Sequence, residues 1–186
     1  MDGQPDDTAL MLRYGAGDAG AFEVLYRRHN DALYRYLLRL CNNRDTAADL
    51  FQEAWSKVIK ARSRYRPTAR FNTWLYRIAR NCFIDHLRRN KRYGDGPPDD
   101  PDSRAAPGPG PDIGAEQARA REKLLAILET LPMEQRDAFL LREEAGLSVD
   151  DIATMTGVGH ETVKSRLRYA TRKLRAAFDD KTEPAA

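Results

Sequence analysis

Residues 147–170 read LSVDDIATMTGVGHETVKSRLRYA. Ser148 stands where a helix N-cap belongs and Asp151 follows three residues later, a capping-box spacing that predicts a helix from Val149. Ala153 falls where two helices must cross closely, and Gly157 suits the φ > 0 corner of a tight turn. A second helix is expected to open near His160. Its Val163 and Leu167 lie one turn apart and face back onto Ile152, leaving Thr162, Lys164, Ser165, Arg166, Arg168 and Tyr169 on the outer side. A basic, hydrogen-bonding face of this kind fits the major groove of duplex DNA, so the unit reads as a helix-turn-helix. The alternative is an ordinary three-helix bundle with a solvated face.

Composition sets the wider frame. The chain has 186 residues, 32% charged and 41% hydrophobic, enough for one or two soluble domains with small cores. No run approaches the roughly eighteen apolar residues of a membrane span. The start, MDGQPDDTAL, is acidic and lacks a signal-peptide apolar segment, so neither membrane insertion nor export is expected and the location is expected to be cytoplasmic. Cys41 and Cys82 form no Cys-x-x-Cys and have no histidine at ligand spacing, so they read as small apolar side chains in a reducing compartment, with no metal. No P-loop or nucleophile–base motif occurs, which argues against an enzyme and against a cofactor.

The net charge of +3 conceals an uneven distribution. Residues 1–93 carry 18 Lys and Arg against 10 Asp and Glu, residues 94–116 carry 1 against 6, and residues 117–186 carry 12 of each. The middle segment, GDGPPDDPDSRAAPGPGPDIGAE, is rich in Pro and Gly and has no apolar periodicity, so it is expected to be a flexible linker. The expected architecture is therefore all-α: two small helical domains, 1–93 and 117–186, joined by an acidic strap.

In the first domain Asp18 can cap a long helix whose Phe22, Leu25, Tyr26, Leu33, Leu37 and Leu40 recur at helical offsets. His29 falls on the same stripe and reads as a packing residue. Asn42 and Asn43 end that helix, and Asp45 is expected to cap the next, TAADLFQEAWSKVIKAR. There Phe51, Ala54, Trp55, Val58 and Ile59 form an apolar stripe, and Asp49, Gln52, Glu53, Ser56 and Lys60 a polar one. Periodicity alone leaves the polar stripe as a solvated face or a docking face.

From Lys57 to Arg92 there are twelve Lys and Arg against one acid, Asp85, with Tyr65, Phe71, Trp74, Tyr76 and Phe83 interleaved. Cations that follow a phosphate backbone, mixed with rings on which unpaired bases stack, suit single-stranded nucleic acid. A coil, SRYRPTAR, is expected to lead into a helix from Phe71 to about Lys91, with Phe71, Trp74, Leu75, Ile78 and Cys82 as its core stripe. The basic face is then Arg77, Arg80, Asn81, Arg88 and Arg89, while Tyr65, Arg66, Thr68 and Arg70 in the coil are expected to be freer to reach an extruded base.

DLFQEAWSKV, then RFNTWLYRIARNCFIDHLRR, then LETLPMEQRDAFLLREEAGLSVDDIATMTGVGHETVKSRLRYATRKLR, in that order, resemble a bacterial RNA polymerase sigma factor of the extracytoplasmic-function (ECF) group. The resemblance covers about Ala21 to Arg92 and Leu124 to Leu174. It implies that Asp49, Gln52, Glu53, Ser56 and Lys60 dock on the clamp helices of core RNA polymerase. It implies that Tyr65, Arg66, Thr68, Arg70, Asn72, Trp74, Arg77, Arg80, Asn81 and Arg88 melt and hold the non-template strand of the promoter minus-ten element. His160, Glu161, Thr162, Lys164, Ser165, Arg166, Arg168 and Tyr169 would read the minus-thirty-five element, and the acidic strap would run through the channel that later holds RNA. An anti-sigma partner and a monomeric free state are also implied. Two departures from the family pattern occur: Thr156 stands where an apolar residue is usual, and His160-Glu161 replace a small or apolar pair. A free-standing helix-turn-helix regulator is the competing reading.

Overall fold

The computed structural model describes residues 5–93 and 115–179. Eight α-helices and a short 3-10 turn account for most of them, and no strand occurs among the described residues. In the first half, α1 (Asp7–Gly15), α2 (Ala19–Cys41), α3 (Arg44–Ala61), the 3-10 turn Arg62–Arg64 and α4 (Phe71–Tyr93) pack around one core. The second half comprises α5 (Ala115–Glu129), α6 (Met133–Glu143), α7 (Val149–Thr156) and α8 (His160–Asp179). The expected linker, residues 94–116, lies outside the described residues up to 114. Its last two residues already belong to α5, two earlier than the expected domain start.

Local chemistry sets the helix boundaries. Asp18 caps α2 by accepting from the Ala21 backbone N–H at 3.2 Å, as its position predicts. Asn42 ends α2 in the left-handed region at φ 52°, which asparagine tolerates better than most residues. The cap of α3 is Asn43 rather than Asp45: the Asn43 side chain accepts from the Thr46 N–H at 2.8 Å. Asp45 instead sits in the first turn, where its charge favours the positive end of the helix dipole. Gly15 ends α1 against the 3-10 turn. A Cβ there would lie 2.8 Å from the Arg62 carbonyl oxygen, so only glycine lets the two backbones approach this closely.

The apolar stripes read from the sequence bury much as expected. Leu25, Leu33, Leu37 and Leu40 of α2, Ala54, Trp55 and Val58 of α3, and Phe71, Leu75 and Cys82 of α4 are inside. Phe22 and Tyr26 of α2 touch each other and meet Phe51 and Trp55 of α3 in tilted and edge-on ring contacts. Ile59, expected in the core, is 37% exposed because the buried row of α3 runs through Ala47, Leu50 and Ala54 instead. His29 packs on Phe71 at 5.3 Å between ring centroids and pairs through Nε2 with Asp7 Oδ2 at 2.7 Å, tying α1 to α2.

The two helical halves also pack against each other, α6 lying on α2 and α7 close to α4. Helix α4 is therefore buried on a second face. Thr73 and Tyr76 are inside as well, and with Arg80 they make a row at helical spacing that points at α6 and α7 rather than at α3.

Candidate nucleic-acid interface

The helix-turn-helix is built from its caps. Ser148 Oγ accepts from the Asp151 N–H at 3.0 Å, while Asp151 Oδ2 accepts from the Ser148 N–H at 3.2 Å, completing the capping box. Partial burial works against ionising Asp151. The hydrogen bonds from Ser148 and Thr73 and the charge of Arg70 outweigh it and hold the carboxyl below the ordinary aspartate range. Gly157 makes the corner at φ 70°, a backbone state that side chains with a Cβ adopt reluctantly. Ile152 and Val163 are fully buried where α7 and α8 cross. Thr156, polar where an apolar residue is usual, turns its hydroxyl back to donate to the Ile152 carbonyl at 2.7 Å, so its polar atom is satisfied within the helix.

On the outer side of α8, His160, Glu161, Thr162, Lys164, Ser165, Arg168 and Tyr169 are exposed and Arg166 is half-buried. Lys164 Nζ donates to Glu161 Oε1 at 2.8 Å, and this hydrogen bond, with the attraction of the ammonium, holds the Glu161 carboxyl below its ordinary value. His160 Nδ1 lies 3.2 Å from Asp150 Oδ1 across the turn. The two unusual residues that open the helix are thus both engaged, one with the preceding helix and one along its own. Arg172 lies over the Tyr169 ring at 5.2 Å, continuing the basic row toward the C-terminus.

On α3, Asp49, Gln52 and Lys60 are exposed, and Glu53 and Ser56 half-buried. Glu53 is not a free member of this face. It accepts from Lys57 at 2.8 Å and lies 3.6 Å from Arg89 of α4. Although partial burial disfavours the charged form, these cations hold the carboxyl below its ordinary value.

The basic segment divides in two. Arg66, Thr68, Arg70, Arg77, Asn81 and Arg88 are exposed, Arg88 within 3.7 Å of Asp85. Tyr65 is not free to reach an extruded base. Its ring is 4% exposed and stands edge-on to Trp74 at 4.9 Å and to Phe71 at 6.4 Å, so the coil is anchored by the ring it was expected to offer. Trp74 is half-buried in the same cluster.

Asn72 and Arg80 do not lie on an open face either. Asn72 Nδ2 donates to the Ala145 carbonyl, and Arg80 Nε donates to Asp137 Oδ2 at 2.6 Å. Around them Tyr36 Oη donates to Asp137 Oδ1 at 2.9 Å and Thr73 to Asp151 at 3.3 Å. Glu144, which caps the C-terminus of α6, is paired with Arg35 at 3.1 Å and with Arg39. Burial, then the Asp137 charge, pushes the Tyr36 hydroxyl well above its ordinary value, so it stays a donor. The sequence did not single out Tyr36, Thr73, Asp137 or Glu144, and Tyr76, read there as a ring among the cations, is buried with its hydroxyl donating to the Glu144 carbonyl. One signal was legible: in MEQRDAFLL, Asp137 shares the helix face of Leu140 and Leu141, where an acid needs a partner.

Known proteins give this arrangement its family. Residues 25–93 match the model of sigma-70 region 2 and residues 121–174 that of sigma-70 region 4. The chain is 35% identical to the ECF RNA polymerase sigma factor SigE of Mycolicibacterium smegmatis, over 92% of this chain and 67% of that one. It is 33% identical to the RNA polymerase sigma-H factor of Pseudomonas aeruginosa, over 97% and 96%. Among solved structures its fold is similar to the sigma factor RpoE of Bartonella quintana in complex with the anti-sigma factor NepR, with TM-score 0.71, 23% identity, and 86% and 98% of the two chains covered. It is also similar to CnrH in complex with the cytosolic domain of CnrY, with TM-score 0.66, 24% identity, and 95% and 99% covered. A region 2 unit followed by a region 4 unit defines a sigma-70 family initiation factor. The chain belongs to its ECF group and directs RNA polymerase to specific promoters.

Proposed function

We propose that this sigma factor works by binding alone, without an enzymatic step, and that its surfaces divide the work as follows. Asp49, Gln52, Ser56 and Lys60 of α3 dock on core polymerase, with Glu53 held between Lys57 and Arg89 to brace α3 against α4. Arg66, Thr68, Arg70, Arg77, Asn81 and Arg88, joined by Asn72, Trp74 and Arg80 once they are uncovered, hold the unpaired non-template strand of the minus-ten element. Tyr65 supports them as the anchor of the coil. His160, Glu161, Thr162, Lys164 and Ser165, with Arg166, Arg168 and Tyr169, read the minus-thirty-five duplex.

The observation that carries this reading is the outward basic row of α8 behind a complete capping box and αL corner, paired with the exposed cations of α4 in the preceding unit. Residues 1–93 and 115–186 act as the two working units, the second opening two residues earlier than the sequence suggests, and 94–114 connect them. The free protein works as a monomer in the cytoplasm, and no helix among the described residues is long and apolar enough to cross a membrane. An anti-sigma protein is the expected regulator, since the similar structure of RpoE holds one. The decisive experiment is run-off transcription with core polymerase on genomic promoter fragments, followed by mapping of start sites. Defined starts that need this chain support the assignment. Promoter binding equally tight without polymerase favours a free-standing regulator.

A further inference from the structure

Asp137 is a carboxylate with a side chain 3% exposed, on a helix of the second unit, yet both of its hydrogen-bond partners, Tyr36 and Arg80, come from the first. Burying a charge is costly unless it is paired, so α6 carries an acid that only the other unit can satisfy. Glu144 repeats the pattern. It stands at the C-terminal end of α6, where the helix dipole disfavours an anion, and Arg35 and Arg39 of α2 compensate from across the interface. Neither acid is stabilised by a cation of its own unit among these pairings. Both are suited to the packed arrangement.

One of the groups they occupy, Arg80, belongs to the face assigned above to the unpaired strand. A carboxylate accepting from an arginine offers a negative charge and an acceptor oxygen as a phosphate does, and with its side chain only 16% exposed Arg80 has little surface left for a phosphate while Asp137 is in place. Asn72, Thr73 and Tyr76 are covered on the same side, by the Ala145 carbonyl, Asp151 and the Glu144 carbonyl.

We propose that α6 is an internal competitor for the strand-binding face of α4: Asp137, standing in for a phosphate, and Glu144, clamping α2, hold the free factor closed, and polymerase or the strand itself must displace them. The proposal rests on α4 being the strand-binding face. When the units part, Asp137, Arg80 and Tyr36 all pass into water, so opening strands no buried charge. Arg77 and Arg88 stay exposed throughout and provide a first foothold.

The test uses the full chain without polymerase, Asp137→Asn and Glu144→Gln separately and together, and a fluorescein-labelled single-stranded DNA of mixed sequence. Radius of gyration from small-angle scattering and DNA affinity are read side by side, with circular dichroism melting to check folding. The double variant is expected to be wider and to bind about five- to tenfold more tightly, as the open fraction rises. Folded variants with unchanged radius and affinity overturn the lock. A wider variant with unchanged affinity overturns the competition, and Arg77→Ala with Arg88→Ala in polymerase-dependent melting then shows whether α4 is the strand-binding face at all. If Asp137→Asn fails to fold, Glu144→Gln carries the same expectations at the rim of the interface.

Discussion

Arg80 and Asp137 stand 57 residues apart in the chain and meet across 2.6 Å, with side chains 16% and 3% exposed. A buried ion pair says little about net stability, but removing one partner of it is costly. This pair joins the basic helix of one unit to the helix that supports the DNA reader of the other, so its energetics report on domain packing rather than on either core.

A double-mutant cycle on Arg80→Ala and Asp137→Ala, read by urea denaturation of the free chain, is expected to give a coupling of about 1.5–3 kcal/mol, the range for hydrogen bonds to charged groups. Additive single effects would mean the pair is not kept in solution.

Much of this fold was legible because local chemistry and tertiary packing agree. Ser148, Asp151 and Gly157 set a cap and a corner whatever surrounds them, and the leucines of α2 repeat at a period that only a helix uses. The packing of one unit on the other was not legible. Thr73, Tyr76 and Arg80 form a second row on α4, and a basic, partly polar row reads the same whether solvent, nucleic acid or another helix covers it. Tyr65 escapes the sequence for a related reason: an aromatic in a coil looks available until Trp74 and Phe71 are brought beside it.

On α3, Gln52 and Lys60 are exposed, whereas Glu53 is committed to Lys57 and Arg89. Gln52→Ala with Lys60→Glu is therefore expected to keep the parent melting temperature and to weaken core-polymerase binding about tenfold, measured by fluorescence anisotropy. Glu53→Lys, by contrast, places a third cation beside two others and is expected to lower the melting temperature as well. Parent-like polymerase affinity in the folded Gln52/Lys60 variant would remove this face from the docking surface.

Arg77 and Arg88 are open cations of α4 outside the interface with α6. Replacing both with alanine is expected to lower the salt slope of open-complex formation by about 0.7 for each single-strand phosphate left without its arginine. Permanganate reactivity across a salt series measures this, and an unaltered slope would assign strand holding to Arg66 and Arg70 instead.

Ser148→Ala removes one half of the capping box and is expected to cost about 1 kcal/mol, read from chemical denaturation. The Asp151 carboxyl is depressed in the folded state, so its contribution is fully present above the ordinary aspartate value of 3.8 and is lost as pH falls through the lower folded value. The parent should therefore lose this stability as the pH falls from about 3.8 through the lower folded value. Without the Ser148 hydroxyl the folded carboxyl titrates closer to 3.8, so the acid loss should be smaller and complete at higher pH, and the difference between the two proteins should shrink in acid. A gap that widens as pH falls would contradict this sign.

Glu161 and Lys164 open the reading helix as a pair, joined at 2.8 Å, and both are largely exposed, so neither can be changed without altering the other. Side chains in the first turn of such a helix lie nearest base edges, and those farther along tend to meet phosphates. Removing Glu161 frees Lys164 from its carboxylate and deletes an acceptor suited to a cytosine amino group. Glu161→Ala is therefore expected to change which bases are preferred in the minus-thirty-five element, by roughly 1–3 kcal/mol at the affected position. Lys164→Ala should instead weaken most elements alike, and less than removal of an unpaired lysine would, because its charge is already partly met. Selection from a randomised promoter library with the parent, each single variant and the double separates the effects. Identical selected sequences from the parent and Glu161→Ala would show that Glu161 acts only as a helix-end charge and as a partner for Lys164.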